Sequence, residues 1–505
     1  MPLALADLAT ETSVLAEAFD KFKPIGILLI VIAIVIARLP RVDLGEVKHS
    51  DSFRRRRTFN WLALGLTYAF LYMGRYNIKV SQHFFGDMLG ADGLPLMTNK
   101  GFADIFFWGT LTYGFSFLIN GPLTDRLGGK FAILVGAGGA AVANILIGLC
   151  TWSLMAQPES GASVWIGAHF IFVFSALYAV NMYFQSFGAV AIVKCNASWF
   201  HVRERGVFGA IFGILISLGI YFAFDWGYMI ADAMPLYYLF FVPAGLLLLF
   251  WICDLLWVRN TPGEAGHDDF DTADASSGDE GPQLGAVAVF SRMLTNPIIM
   301  TIALIEFCSG FMRQAIMQWF RSFAKQTDDA LELKSGFIYE NWGMLLCCAG
   351  ILGGVFAGTI SDHVFGSRRG PVAGVLYALM LVAGVVLTFT YQTPAVGWIV
   401  IFMSMCVIGV HGMLSGTASM DFGGRKNVGI AVGIIDGFVY AGTAFMSILY
   451  GWILPSDAPD PITGVIAAAD PDKWISWPIS MIPVALVGLF LARRVWNAKP
   501  KAAKA

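Results

Sequence analysis

The chain has 505 residues, 57% of them hydrophobic and only 13% charged, with a formal net charge of −2. No soluble domain of this length has that composition, and repeated apolar stretches of about 20 residues mark a chain that crosses a bilayer many times. The near-zero charge gives no basis for a nucleic-acid partner.

The first apolar stretch, near 24–39, has about 12 strongly apolar residues. Its basic residues mostly follow it (Arg38, Arg41, Lys48 and Arg54–Arg57), unlike a secretory signal. It is expected to be an uncleaved extra helix with the N-terminus outside; the alternative is an interfacial helix that never crosses. Six spans follow, near 58–82, 102–123, 130–153, 163–193, 207–231 and 235–257, and six more near 296–320, 337–360, 371–391, 397–420, 428–452 and 474–492. The stretch between the two sets, TPGEAGHDDFDTADASSGDEGP, has seven acids and no Lys or Arg, and reads as a disordered linker. The expected organisation is an N-terminal extension (1–57), a six-helix bundle (58–258), an acidic linker (259–291), a second bundle (292–495) and a basic tail (496–505). Basic residues gather in alternate loops, which puts the linker and C-terminus in the cytoplasm. The seven cysteines (Cys150, Cys195, Cys253, Cys308, Cys347, Cys348, Cys406) lie in or beside apolar spans without CxxC spacing and read as packing residues, with no metal site. Gly350, Gly354 and Gly358 are expected to let helices approach closely.

Within the first core span, Tyr68, Tyr72, Arg75 and Lys79 fall on one helical stripe. A charge at that depth costs roughly 2.5–3.5 kcal/mol on insertion scales, so it faces a bundle interior or watery cavity. Arg313 lies 238 positions later, at similar depth in the seventh core span. Two guanidiniums at one depth, one per half, describe a binding site for an anion, since their planar forks match phosphate or carboxylate. The alternative is neutralisation by a neighbouring acid such as Glu306, which shares a face with Arg313. Lys79 either adds a point charge or snorkels to the outer interface. Glu306 and Asp436 are candidate proton-coupling acids, Asp436 alternatively a partner for an arginine, and Tyr440 lies one turn after it. Lys194 is expected to snorkel and Glu340 to be interfacial.

The halves repeat elsewhere. Asp125 and Arg126, in GPLTDRLGGK, are matched by Asp362, in SDHVFGSRRG, 237 positions after Asp125. The first copy resembles the signature loop of major facilitator transporters, where an acid and bases at helix ends form switchable pairs. The resemblance implies an all-α membrane protein of the major facilitator fold: two six-helix bundles related by a pseudo-two-fold, here with one extra N-terminal helix. Across roughly 58–492 the chain further resembles the organophosphate:phosphate antiporter family, through Tyr68, Tyr72, Arg75 and Asn77, Tyr113-Gly-Phe-Ser, Trp199-Phe200, Arg203-Glu204-Arg205-Gly206, Arg313, Trp319 and Tyr440. That likeness implies a phosphate clamp of Arg75 and Arg313 with Tyr68, Tyr72, Tyr113 and Tyr440 around it. The chain departs from the glycerol-3-phosphate branch at Phe117 (a lysine there), Ile216 (a histidine), Gly310 (a tyrosine) and Asp436, which is additional. The leading expectation is a non-enzymatic, monomeric transporter in a bacterial inner membrane, without a cofactor, exchanging a phosphorylated metabolite for phosphate by rocker-switch alternating access. A proton- or sodium-coupled carboxylate symporter and a membrane sensor of a sugar phosphate are the alternatives.

Overall fold

Among the described residues, thirteen helices carry the architecture. The computed structural model describes residues 49–91, 93–201, 205–272, 286–365 and 369–497. The expected helix at 24–39 and the tail beyond 497 lie outside the described residues. Helix α1 (Asp51–Gly86) starts at Ser50, whose hydroxyl accepts from the Phe53 amide, with Asp51 in the first turn facing the positive end of the helix dipole. Next come α2 (Asn99–Leu127), α3 (Gly129–Ala156), α4 (Phe170–Ala197), α5 (Arg205–Tyr221, continuing through a π turn at Phe222–Trp226 to Gly227–Ala233) and α6 (Tyr238–Trp257). A short amphipathic α7 (Ala286–Leu294) precedes the second set. That set is α8 (Pro297–Gln326), α9 (Trp342–His363), α10 (Arg369–Thr390), α11 (Ala395–His411, extended by a π segment, Gly412–Ala418), α12 (Ser419–Ile453) and α13 (Ser476–Arg494). Among the described residues there is no strand, only two isolated bridges. Ten helices are long and apolar enough to cross a membrane. Those ten, counted among the described residues, do not include α1, which carries the polar stripe, or α9, whose apolar part is the shorter Trp342–Gly358.

The ends of the helices explain the signature loop. Between α2 and α3 the backbone turns at Gly128, with φ of 90°, a conformation that a residue with a side chain rarely adopts. At the same end, Arg56 donates to the Trp257 carbonyl at 2.6 Å, Arg57 to that of Trp199 at 3.2 Å and Lys130 to that of Leu255 at 2.7 Å. These cations meet the carbonyl-rich, negative ends of α4 and α6.

The most extensive contacts between the two sets are α2 with α12 and α5 with α9, with a smaller one between α4 and α12. The α2–α12 seam is built on small residues. A methyl group on Gly114 would meet the Gly437 carbonyl, one on Gly121 that of Gly429, and one on Gly433 that of Phe117. Backbones therefore touch with no side chain between them. Of the three glycines expected to allow close approach in α9, Gly350 does so against Ser217, while Gly354 and Gly358 face open space. Gly353 takes their place, packed against the Met405 carbonyl of α11. The spacing identified a small-residue face, but the neighbouring helix sits one position round from it.

The acidic stretch is not featureless either. In its described part, Phe270 packs on His49 and Phe53, with ring centroids 4.8 and 5.8 Å apart, and His267 packs edge-on to Phe53 at 5.7 Å. Two aromatic rings supply the packing surface that its acids do not. Then α7 lays Val289 and Met293 against Ile299 and Ala303 of α8 and Ile430 and Ile434 of α12.

Candidate anion site between the two halves

Arg75, in mid-α1, is fully buried and has a partner on every nitrogen. Nε donates to Gln185 Oε1 at 3.2 Å, Nη1 to the Tyr440 hydroxyl at 2.5 Å and Nη2 to the Tyr113 hydroxyl at 3.0 Å. Its guanidinium carbon also lies 4.6 Å from the ring centres of Tyr72 and Tyr113. Tyr68 packs edge-on to Tyr72 at 5.3 Å and is within electrostatic range of Arg75. Four helices thus converge on one guanidinium: α1 and α2, α4 through Gln185, and α12 through Tyr440. Gln185 escaped the sequence reading, which weighted charges; an amide in the middle of an apolar span was the available signal.

Arg313, in α8, is 4% exposed, and its Nε and Nη2 are buried with no hydrogen-bond partner. The residues that follow the two arginines join directly, Gln314 Nε2 donating to the Tyr76 hydroxyl at 2.9 Å. The two guanidiniums therefore do sit at matching depth, and both lie within electrostatic range of Tyr72 and Tyr440. Among the described residues no ion pair joins either arginine. Glu306 bonds His411 instead, Nδ1 to Oε2 at 2.8 Å, so it neutralises neither. Asp436 accepts a hydrogen bond from the Ser415 hydroxyl. His411 and Ser415, on α11 and its π extension, were missed in the sequence although His411 interrupts an apolar run.

Lys79 does not snorkel. It is 1% exposed, donates to Gln82 Oε1 at 2.6 Å and to Ser322 Oγ at 2.7 Å across the two halves, and lies over Phe102 and Trp319. The Lys194 ammonium meets Asp125 at 2.7 Å. Asp125 also accepts from the Gly429 and Ile430 amides of α12, both at 3.2 Å, and so ties α2 and α4 to the other half. Arg126 is exposed, Glu340 is exposed beside α9, and the Asp362 side chain is outside what is described. At the opposite end Asn99 donates to Gln326 at 2.9 Å and to the Pro455 carbonyl at 3.1 Å, while its amide reaches Asp457 at 2.7 Å.

The departures have structural reasons. A methyl group on Gly310 would lie 1.9 Å from the Val439 carbonyl, so the α8–α12 contact leaves no room for a tyrosine. Phe117 is fully buried and stacks edge-on to Tyr113 at 4.9 Å.

The sequence profile of the Major Facilitator Superfamily matches residues 64–447. The chain belongs to that superfamily. It is similar to the glycerol-3-phosphate transporter of Bacillus subtilis (strain 168), with 25% identity covering 92% of this chain and 98% of that one. It is similar also to the membrane sensor protein UhpC of Escherichia coli (strain K12), with 24% identity over 80% of this chain and 86% of the relative. A probable hexose phosphate transport protein of Chlamydia trachomatis is 22% identical over 90% and 93%. These relatives fall in the group that the sequence resembles. In fold, the chain is similar to a crystal structure of the nucleoside transporter NupG, with a TM-score of 0.56 over 86% of this chain and 99% of that one at 13% identity. A bacterial homologue of the human lysosomal transporter Spinster gives a TM-score of 0.61 over 90% and 100% at 12% identity. The chain is a multi-pass membrane transporter and not an enzyme.

Proposed function

We propose that the chain carries a small phosphorylated metabolite across a bacterial inner membrane, in exchange for inorganic phosphate, by rocking two six-helix bundles about a site between them. Its Asp125 end, where the basic residues gather, faces the cytoplasm. The observation that supports this most directly is Arg313, a buried cation with two donor nitrogens unmet, beside a second arginine held by hydroxyls and an amide. A buried charge without a partner is costly, and an oxyanion would satisfy it with two parallel bonds. The relatives named for glycerol phosphate and hexose phosphate point to the same chemistry.

The test is counterflow in proteoliposomes loaded with phosphate. Uptake of labelled glycerol 3-phosphate or a hexose phosphate, inhibited by external phosphate and not by dicarboxylates, is the expected result. Uptake of a dicarboxylate alone would overturn the phosphate reading. The likeness to UhpC supports a second reading, a sensor that binds the ester without moving it. Saturable binding with no flux would select that one.

A further inference from the structure

We infer that Glu306, His411 and Asp436 form a proton-binding site, and that occupancy of Arg313 by an anion draws a proton onto it. This rests on the anion-site reading above and adds a second transported species to it.

Three helices supply three titratable side chains at one place. On α8, Glu306 is fully buried; one oxygen meets His411 of α11 at 2.8 Å and the other, Oε1, has no partner. On α12, Asp436 is 7% exposed, is held by Ser415, and lies within electrostatic range of His411, Glu306 and Arg313. The other ionisable groups facing them are Cys308 of α8 and Tyr377 of α10, beside Glu306, and Tyr113 of α2, beside Asp436. All three are uncharged in their ordinary state near neutral pH. Arg313 is the fixed positive charge within range of Asp436, and Arg75 is a second one within range of Arg313.

The group thus holds two carboxyl groups, Glu306 and Asp436, with Asp436 within electrostatic range of the guanidinium that would hold the anion. An anion bonded to Arg313 brings negative charge close to these carboxyls, in surroundings where like charges repel strongly. A proton on a carboxyl, at Asp436 Oδ or the open Glu306 Oε1, relieves that repulsion. Because Ser415, not Arg313, holds Asp436, protonating it breaks no bond at the clamp. Release of the anion then releases the proton. No covalent bond changes; one proton is taken from solvent and returned to it.

The experiment is calorimetry of inorganic phosphate binding to the full-length protein in detergent, in buffers of different ionisation heat, from pH 6 to 8. The wild type is expected to take up close to one proton per phosphate beyond the phosphate's own protonation. Affinity should rise by up to about tenfold for each pH unit lowered, the limit for one linked proton. Asp436→Asn should lose the extra uptake and hold the low-pH affinity of the wild type across the range. Glu306→Gln, read in the same way, supplies a second variant should the first not fold. Wild-type binding without extra uptake, or equal uptake in wild type and both variants, would overturn the inference and leave the anion site standing. Absence of phosphate binding by the wild type would overturn the anion reading and this inference with it.

Discussion

Arg75 and Arg313 occupy equivalent places in the two halves, yet the protein treats them differently. The first is bonded on all three nitrogens by neutral groups from three other helices and flanked by two aromatic faces. The second is as deeply placed but has two nitrogens without partners. A buried cation saturated by dipoles is part of what holds the bundle together. One left short of partners stabilises nothing in the empty state and is available to an incoming oxyanion. On the proposed reading, equivalent positions in a repeat take on unequal work, one arginine organising the site and the other receiving the anion.

The largest effect expected is on transport. Lysine offers a point charge where arginine offers a fork, so Arg313→Lys and Arg75→Lys should each reduce phosphate counterflow to background in proteoliposomes while the protein still inserts. Normal phosphate affinity in either mutant would make that arginine purely structural.

Stability should separate the two. Arg75→Met removes three hydrogen bonds from a charged donor and should cost about 2–4 kcal/mol in the unliganded protein. Arg313→Met removes a poorly compensated charge and should leave stability equal or higher. Denaturant unfolding in detergent measures both, and equal losses would erase the contrast.

A smaller effect comes from making Arg75 resemble Arg313. Tyr440→Phe deletes the hydroxyl that accepts from Nη1, which should cost about 1–2 kcal/mol of stability. Phosphate affinity should change by no more than about tenfold, since the deleted bond is made before the anion arrives. A loss above a hundredfold would place the Tyr440 hydroxyl on the anion itself.

The smallest effect lies outside the spans, in the loop after α12. Burial is the main cause that holds the Asp457 carboxyl above its ordinary range, against hydrogen bonds from Asn99 and Gln326 and the charge of Lys79. The folded protein therefore binds that proton more tightly than the unfolded chain does. Its contribution to stability is complete below the ordinary carboxylate range near pH 4 and is lost as pH rises through the folded value. Asp457→Asn should flatten this part of the melting-temperature profile, from about pH 4 upward. An unchanged slope would assign it to other groups.

Much of this was legible because charge is rare in apolar spans. The tyrosine–arginine stripe of α1 follows helical spacing, and the constant offset between halves placed Arg313 level with Arg75, which the Tyr76–Gln314 contact makes physical. Pairing was not legible. Glu306 and His411 are 105 positions apart, and Lys194 and Asp125 are 69 apart, each with several acceptable partners until the helices are packed. Spacing alone also cannot say which small face meets a helix, as Gly353 shows beside Gly354.

The glycine seam between α2 and α12 has a kinetic consequence. An interface of interlocked leucines would have to freeze several side-chain rotamers each time it formed, at roughly 0.5–1 kcal/mol apiece. Gly114, Gly121, Gly429, Gly433 and Gly437 have no rotamers to freeze. In the proposed rocking motion the halves would part and rejoin along this line without a conformational search, and the entropic toll of each closing would fall on Asp125 and the few other side chains that bridge it.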